Sequence, residues 1–420
     1  MVHLTNFDRV METKDHFKNE MRLKILKITG FLLVAFTLSQ CKPGTGKYVQ
    51  GELIEIDVSK HYPVKELYLQ DIAKVEYIPF ETNINTLMRM RTDMIVYVSD
   101  DYIIATNRVE SDIFVFDGKG KSKFSFNHKG QGPTNYNNLW SGIAFDEKAK
   151  EIFIFDRYAA NPKIQVYAEN GEYKRTLAGF SDLRDITVYH FDDETLLVYD
   201  ESGIFGQRNY SHKPYLLISK KDGSVSDTLN ILLPVRLSST VVWQGEQNGQ
   251  PVTYSIGIPI TNNRSYGKNF LIVDWSADTI YKLTPQRELQ PMIVRKPPMQ
   301  DTDPKILISN FLVTEKFLLL GIYVMDYNAL KNGGDISQKQ IMYDFETGQI
   351  NEYRFKNRDI ASSTSVMFHE AVTSESIGVS AYDVAFLFEL DEKGEIKGDL
   401  KELLKSLKEE DNPVLMKIKF

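Results

Sequence analysis

Apolar and polar residues alternate over short runs along most of the chain, and the runs recur. ELIEIDV (52–58) and VEYIPFE (75–81) each read as a strand with alternating faces. A unit then repeats: an apolar strand, a polar loop, a second strand, a tight turn and a third strand. The turns carry the repeat most clearly, in DIFVFDGKGKSKFSF, KIQVYAENGEYKRTL, YLLISKKDGSVSDTL, DTIYKLTPQRELQPMI and KQIMYDFETGQINEYRF. Four of these five place a glycine at the matching position, Gly120, Gly171, Gly223 and Gly348. Glycine supplies the positive φ that a hairpin turn needs. The glycines lie roughly fifty to sixty residues apart, allowing for the fourth unit, which has none. Each turn is preceded by YIIATN, EIFIFD, TLLVYD, FLIVD or FLLLGIYVMD, and some units show an earlier strand, SGIAFD or DITVYHFD. Four short strands per unit at this period predict propeller blades.

Five clear units lie between Met90 and Asn357. The sixth is irregular. VMFHEAV and SIGVSAYDVAFLF read as strands. GDLKELLKSLKEE is amphipathic at helical spacing, with Leu400, Leu403, Leu404 and Leu407 on one face. NPVLMKIKF ends the chain as a strand. A sixth blade completed by the N-terminal VEYIPFE accounts for these pieces. The glycine of DEKGE, Gly394, alternatively marks another hairpin turn, and the pattern leaves strand and helix open between Tyr382 and Gly394. The expected fold is all-β: a six-bladed propeller of four-stranded antiparallel blades, closed by N- and C-terminal strands, with a short helix near the C-terminus.

Composition narrows the class. The chain is 42% hydrophobic and 25% charged, ordinary for a globular protein and too apolar for disorder. Aromatics at 12% agree with strands. A formal charge of −7 without a basic block argues against nucleic acid as a partner. The single cysteine excludes an internal disulfide and a cysteine-rich zinc site.

That cysteine, Cys41, lies in TLSQCKPGTGKY. A phosphate-binding loop needs Gly, four residues, then Gly-Lys-Ser/Thr. Here Cys41 stands at the first glycine position and Tyr48 follows Gly46-Lys47, so the motif fails twice. Upstream, the basic MRLKILK precedes the apolar ITGFLLVAFTL, which is too short for a lasting membrane span. LSQC resembles a lipoprotein cleavage box, with Gln40 in place of the usual small residue. Cys41 is then the lipidated N-terminus, held firmly because several acyl chains anchor where one does not. On this reading 1–40 is a leader with Met21 as its true start, 41–74 a lipidated tether and leading strand, and 75–420 the propeller. KPGTGK lacks an acidic run of the kind that resembles a surface-export signal, which favours the periplasmic face of the outer membrane.

VEYIPFETN followed by a blade ending in GQGPTNY resembles the six-bladed β-propeller lipoproteins of gut Bacteroidetes, as does the closing EEDNPVLMKIKF. Phe80 stands where that family commonly has Leu, and Thr134-Asn135 where Gly-Glu is frequent. The resemblance spans the chain from about Val75 to Phe420. It implies six blades, a lipid anchor and an envelope location, and it implies no activity.

Candidate chemistry is sparse. The glycines of HKGQGPTNY shape a crossover between blades better than they bind phosphate, since no helix follows to aim its N–H groups at an anion. A polar residue closes the second strand of each unit: Asn107, Asp156, Asp200, Asp274 and Asp326, followed by Arg108, Arg157, Glu201, Trp275 and Tyr327. In a propeller these ends lie around one channel mouth. They read either as a ring for a polar ligand or a cation such as Ca2+, or as residues that each hold their own turn. Three long insertions, 201–214, 243–269 and 326–339, include Trp243, Tyr254, Tyr266 and Tyr327, suited to a sugar or a peptide. His190 sits on a strand and reads as packed core. No metal-ligand spacing and no nucleophile elbow is present, and no cofactor is evident. The sequence therefore points first to a lipid-anchored envelope propeller that binds a glycan, peptide or protein without catalysis. An envelope hydrolase or lyase using channel-mouth carboxylates, and a scaffold for an outer-membrane complex, are the alternatives.

Overall fold

The structure is a computed structural model that describes residues 53–88, 93–139, 142–180, 183, 185–201, 213–233, 235–237, 240–247, 250–257, 263–332, 336–361, 366 and 376–420. Cys41, the leader and the tether lie outside the described residues, as do most of 201–214 and all of the segment VMFHEAV but Val366.

The chain opens with strand β1 (Ile54–Asp57), β2 (Val64–Tyr68), the single turn α1 (Leu69–Ile72) and β3 (Lys74–Pro79). Three complete blades follow. Blade one is β4 (Asp93–Val98), β5 (Tyr102–Asn107), β6 (Asp112–Asp117) and β7 (Ser122–Phe126). Blade two is β8 (Ile143–Asp146), β9 (Glu151–Asp156), β10 (Lys163–Ala168) and β11 (Tyr173–Leu177). Blade three is β12 (Ile186–His190), β13 (Thr195–Asp200), β14 (Tyr215–Ser219) and β15 (Val225–Thr228). Second strands such as β5 and β13 are buried at every position, because a blade's middle is covered on both faces by its neighbours. The outermost β15 is exposed throughout. That gradient is why YIIATN and TLLVYD read as continuous apolar runs while fourth strands read as polar.

A two-stranded hairpin, β16 (Thr240–Gln247) and β17 (Gln250–Gly257), precedes blade four, so most of the second long insertion is regular structure and not loop. Blade four is β18 (Arg264–Tyr266), β19 (Asn269–Ile272), β20 (Thr279–Leu283) and β21 (Leu289–Lys296). Blade five is β22 (Lys305–Val313), β23 (Phe317–Met325), β24 (Ser337–Asp344) and β25 (Ile350–Lys356), with the short helix α2 (Tyr327–Lys331) after its second strand. In the last blade β26 (Ile377–Tyr382) pairs with β27 (Val414–Lys419), and β27 pairs with β3. The expected closure of the ring by both chain ends is thus present, with Val414 opposite Pro79 and Lys419 opposite Lys74.

The N-terminal segment does more than close one blade. β1 adds a fifth, parallel strand to blade four, and β2 adds one to blade five. Together β1, β2 and β3 lace the outer edges of three consecutive blades. The seam between blades six and one carries its own polar contacts. Buried Lys417 donates to Ser99 O and Asp100 Oδ1, both at 2.8 Å, and Lys419 reaches Asp100 Oδ2 at 2.6 Å. Asn412 accepts from Met88 N at 2.9 Å and donates to Glu81 O at 2.9 Å.

Gly120, Gly171 and Gly223 have φ of +81°, +86° and +84°, as their turns require. They also mark where blades touch. A Cβ on Gly120 would stand 2.2 Å from Pro79 O, on Gly171 2.6 Å from Phe126 Cγ, and on Gly223 2.6 Å from Ala178 O. Each contact is to the end of the preceding blade's outer strand or the residue after it, so the glycine serves the turn and the packing together. In the fourth unit, which lacks the glycine, Arg287 takes the positive φ at 67°.

Between β26 and β27 the chain forms α3 (Val384–Glu392) and α4 (Gly398–Leu404). Asp383 caps α3 by accepting from Ala385 N. Gly394, at φ +73°, ends it, with Glu395 N returning to Leu390 O. DVAFLF is therefore helix, and Gly394 is a helix stop and not a hairpin turn. Leu400 and Leu404 are buried with Leu387 and Ile360, as the amphipathic pattern of the second helix predicts.

Candidate functional site

The alternation of strands gives each blade two edges. One carries the turns from first to second and from third to fourth strand. The other carries the loops from second to third strand and the crossovers to the next blade. Every strand-end residue singled out from the sequence lies on this second face.

These residues serve their own turns first. Asn107 Oδ1 accepts from Val109 N and Glu110 N at 3.1 and 3.2 Å. Asp326 Oδ1 caps α2 by accepting from Asn328 N and Ala329 N at 3.0 and 2.9 Å, and Tyr327 opens that helix. Asp156 is held by Asn137 Nδ2, at 3.0 and 2.9 Å to its two oxygens, so the GQGPTNYNN crossover packs against it. Arg108 is half-buried, and burial pulls its guanidinium below the ordinary range. Among the described residues no group of three or more His, Cys, Asp or Glu is disposed to hold a metal ion.

Blades two to four add something further. Arg157 Nη1 meets Asp185 Oδ1 at 2.5 Å, where the carboxylate is buried. Burial pushes the Asp185 carboxyl up, and Arg157 opposes this without overcoming it. Glu201 follows the end of β13 and accepts from Thr187 Oγ1 of β12. Burial raises Glu201 as well, against its bond from Thr187. Asp274 is 3% exposed and accepts from Ser276 N at 2.7 Å and Tyr215 OH at 3.2 Å; burial raises it also. Trp275, next in sequence, is buried with its ring 5.0 Å from Tyr323, and its Nε1–H has no partner.

Arg236 links these groups and was not a candidate from the sequence. It lies in the crossover between blades three and four. Its guanidinium sits 5.1 Å from the Tyr199 ring, and its Nη2 donates to Asp200 O at 2.5 Å. Burial alone would lower it, yet Tyr199, Asp274 and Asp200 leave it raised. Among the described residues Arg236 Nε and Nη1 and the Tyr199 hydroxyl are buried and meet no acceptor at good hydrogen-bond geometry, although the Tyr199 hydroxyl lies within electrostatic reach of Arg236 and Asp274. A buried donor left unmet costs about 1–3 kcal/mol, so native structures rarely keep several together without something to receive them. Chemically this is a surplus of donors beside carboxyls that burial keeps easy to protonate.

The opposite face holds a cleft of about 830 Å3, lined by the first turns of blades one and two, His190 and Ser265 of β18. His190 is not the packed core residue its strand pattern predicts: its side chain is 30% exposed, and Nδ1 lies 2.9 Å from Lys220 Nζ. Lys220, buried with Asp146, also donates to Asp146 Oδ2 at 2.6 Å and to Asp192 O at 2.5 Å. Desolvation, with Lys220 adding to it, lowers the His190 imidazole below its ordinary range.

No helix of the described residues is long and apolar enough to cross a membrane. Comparison with curated protein sequences yields no match. Among solved structures, an exported-type protein of Bacteroides fragilis is 14% identical, covering 88% of this chain and 99% of its own, with a TM-score of 0.57. A member of the DUF4221 family from Bacteroides vulgatus is 9% identical over 82% of this chain and 96% of its own, with a TM-score of 0.46. At such identity the first likeness speaks for the propeller fold alone. The family described as Domain of unknown function (DUF4934) matches residues 53–419, from the first lacing strand to the last strand of the closing blade, and the chain belongs to it.

Proposed function

We propose that the chain is an exported, lipid-anchored propeller of the cell envelope that binds a ligand or protein partner without catalysis, on the face that carries Arg236. The observation that carries this reading is the buried cluster of Tyr199 and Arg236, whose donors are not fully met among the described residues. They lie beside Asp200 and Asp274, with Glu201 and Arg157 close by, and a ligand bearing acceptor oxygens would complete them. The exported-type relative in Bacteroides fragilis and the LSQC box support the location, with Cys41 as the anchor and the periplasmic face of the outer membrane as its side. A thermal-shift screen of the full chain against glycans, peptides and divalent ions, repeated on Arg236→Met, tests the binding. A ligand that stabilises both forms equally would remove Arg236 from the site. Fractionation of Cys41→Ala tests the anchor: it should leave the membrane fraction, and retention there would refute lipidation.

One observation favours a second reading. Glu201 and Asp185 are both raised by burial beside Arg157, the arrangement that suits a carboxyl to proton transfer. An envelope hydrolase or lyase would use them so. Turnover of a glycan or peptide, abolished by Glu201→Gln with binding retained, would establish it.

A further inference from the structure

The cleft on the opposite face has a fixed polar floor. Lys220 Nζ has three N–H groups, and Asp146 Oδ2, Asp192 O and His190 Nδ1 take all three. An ammonium has no acceptor, so His190 Nδ1 must be the acceptor. The imidazole is then neutral, with its proton on Nε2, the nitrogen turned away from Lys220, and the residue lines the cleft. The floor thus presents one uncharged donor of set direction.

The walls carry charges of both signs, most of them already paired, while Asp101 and Glu147 meet no cation among the described residues. Lys123 and Lys150 share Glu169 at 3.4 and 3.5 Å, and Lys148 holds Asp193. Asp100 is taken by Lys417 and Lys419, and Glu147 accepts from Tyr97 OH at 2.6 Å. An anion would have to displace one of these partners, and a cation would find only Asp101 and Glu147, solvent-screened carboxylates from which it would recover little. The other groups the cleft offers are neutral. His190 Nε2–H and the Ser265 hydroxyl are joined by Ser99, whose Oγ accepts from Asp101 N and Tyr102 N and keeps its own proton to donate. The carboxylates keep unused lone pairs, and the Tyr97, Tyr102 and Phe145 rings supply an apolar wall. Groups that both donate and accept, mounted on a body with apolar C–H faces, match such a lining. At about 830 Å3 the cleft falls in the range of small-molecule sites and has room for more than a single sugar ring.

We propose that this cleft binds an uncharged, polyhydroxylated ligand, a short neutral saccharide, with His190 Nε2–H donating to a ligand oxygen. The inference stands apart from the Arg236 face and survives if that reading fails.

The test uses the full chain carrying 15N-histidine, titrated separately with maltotriose, cellotriose and N,N′-diacetylchitobiose. Trigalacturonate and a blocked tripeptide are the charged and amide comparisons. The His190 signal, assigned by its loss in His190→Ala, should show the Nε2–H tautomer in the free chain and move with at least one neutral saccharide. Binding of that saccharide should weaken roughly tenfold in His190→Ala. Should His190→Ala fail to fold, His190→Gln takes its place for the assignment and Ser265→Ala for affinity. Three results would each overturn the proposal: no neutral saccharide moves the signal, only trigalacturonate or the tripeptide moves it, or saccharide affinity is indifferent to both alanine variants.

Discussion

Gly171 should be far less replaceable than a turn glycine chosen for φ alone. Its φ of +86° and the 2.6 Å from a built Cβ to Phe126 Cγ act at once. The left-handed backbone costs an alanine about 1–2 kcal/mol. Carbon atoms rest at about 3.5–4.0 Å, so the Phe126 ring would have to withdraw by about 1 Å. That ring is not free to move, because it packs at 5.4 Å from His128 and 5.9 Å from Tyr167, and His128 Nε2 bonds Gly171 O at 2.7 Å. Overpacking of this kind costs about 1–3 kcal/mol, which puts Gly171→Ala at about 2–5 kcal/mol. Gly394 is the matched control: its φ is +73°, but a Cβ there meets nothing within 4 Å. Gly394→Ala should therefore cost only the backbone share, about 1–2 kcal/mol. Urea denaturation of the parent and both variants, followed by tryptophan fluorescence, gives the comparison. If the two alanines destabilise within about 0.5 kcal/mol of each other, contact between blades plays no part and the turn alone explains the glycine.

Three further outcomes follow from the charged groups. Glu201→Gln should stabilise the fold at pH 8. A carboxyl raised by burial costs stability above its folded value, and the gain should vanish as pH falls below the ordinary carboxylate range; equal Tm gains at pH 8 and pH 4 would contradict this. Asp100, lowered to about 2 by its bonds from Lys417 and Lys419, helps hold the seam above its ordinary 3.8, and that help is lost as pH falls toward 2. Asp100→Asn should cost about 0.5–1 kcal/mol at pH 7 by weakening the hold on buried Lys417, the figure being cut by solvent because Asp100 is exposed, and the cost should shrink as pH falls toward 2, read from denaturant midpoints. Lys220→Met should cost about 3–5 kcal/mol, because it strands the buried Asp146 carboxylate, and Lys220→Met with Asp146→Leu should recover most of the loss.

Blades, turns and closure were legible because their signals are local. A strand buried on both faces needs a continuous apolar run, and a hairpin turn needs a residue at ease with positive φ. Arg287 shows that limit, since a non-glycine residue fills the fourth turn without announcing it. The pairing of Ile54 with Ile293 and of Val64 with Glu352 leaves no trace in either neighbourhood, so the lacing of blades four and five could not be read. Arg236 follows the apolar ILLPV in a crossover with no motif, and only an arginine set among apolar residues hinted at a buried partner. Lys220 and Lys221 are neighbours of one type, yet the first is 5% exposed and the second lies at the surface. Position in the strand end decides between them, and that depends on register.

The three lacing strands also set the order in which the molecule can be finished. Residues 54–79 are made before any strand of the blades they join, and their partners are β21, β25 and β27. At about 5–20 residues per second, the first-made strands wait on the order of tens of seconds for the last-made one. Blades one to three can assemble from their own sequence as they emerge. Blade six cannot, and the outer edges of blades four and five stay open until β1 and β2 fold back upon them. Maturation therefore ends with a return of the N-terminus, and a nascent chain halted before Val414 holds a finished half-ring beside an unpaired leading strand.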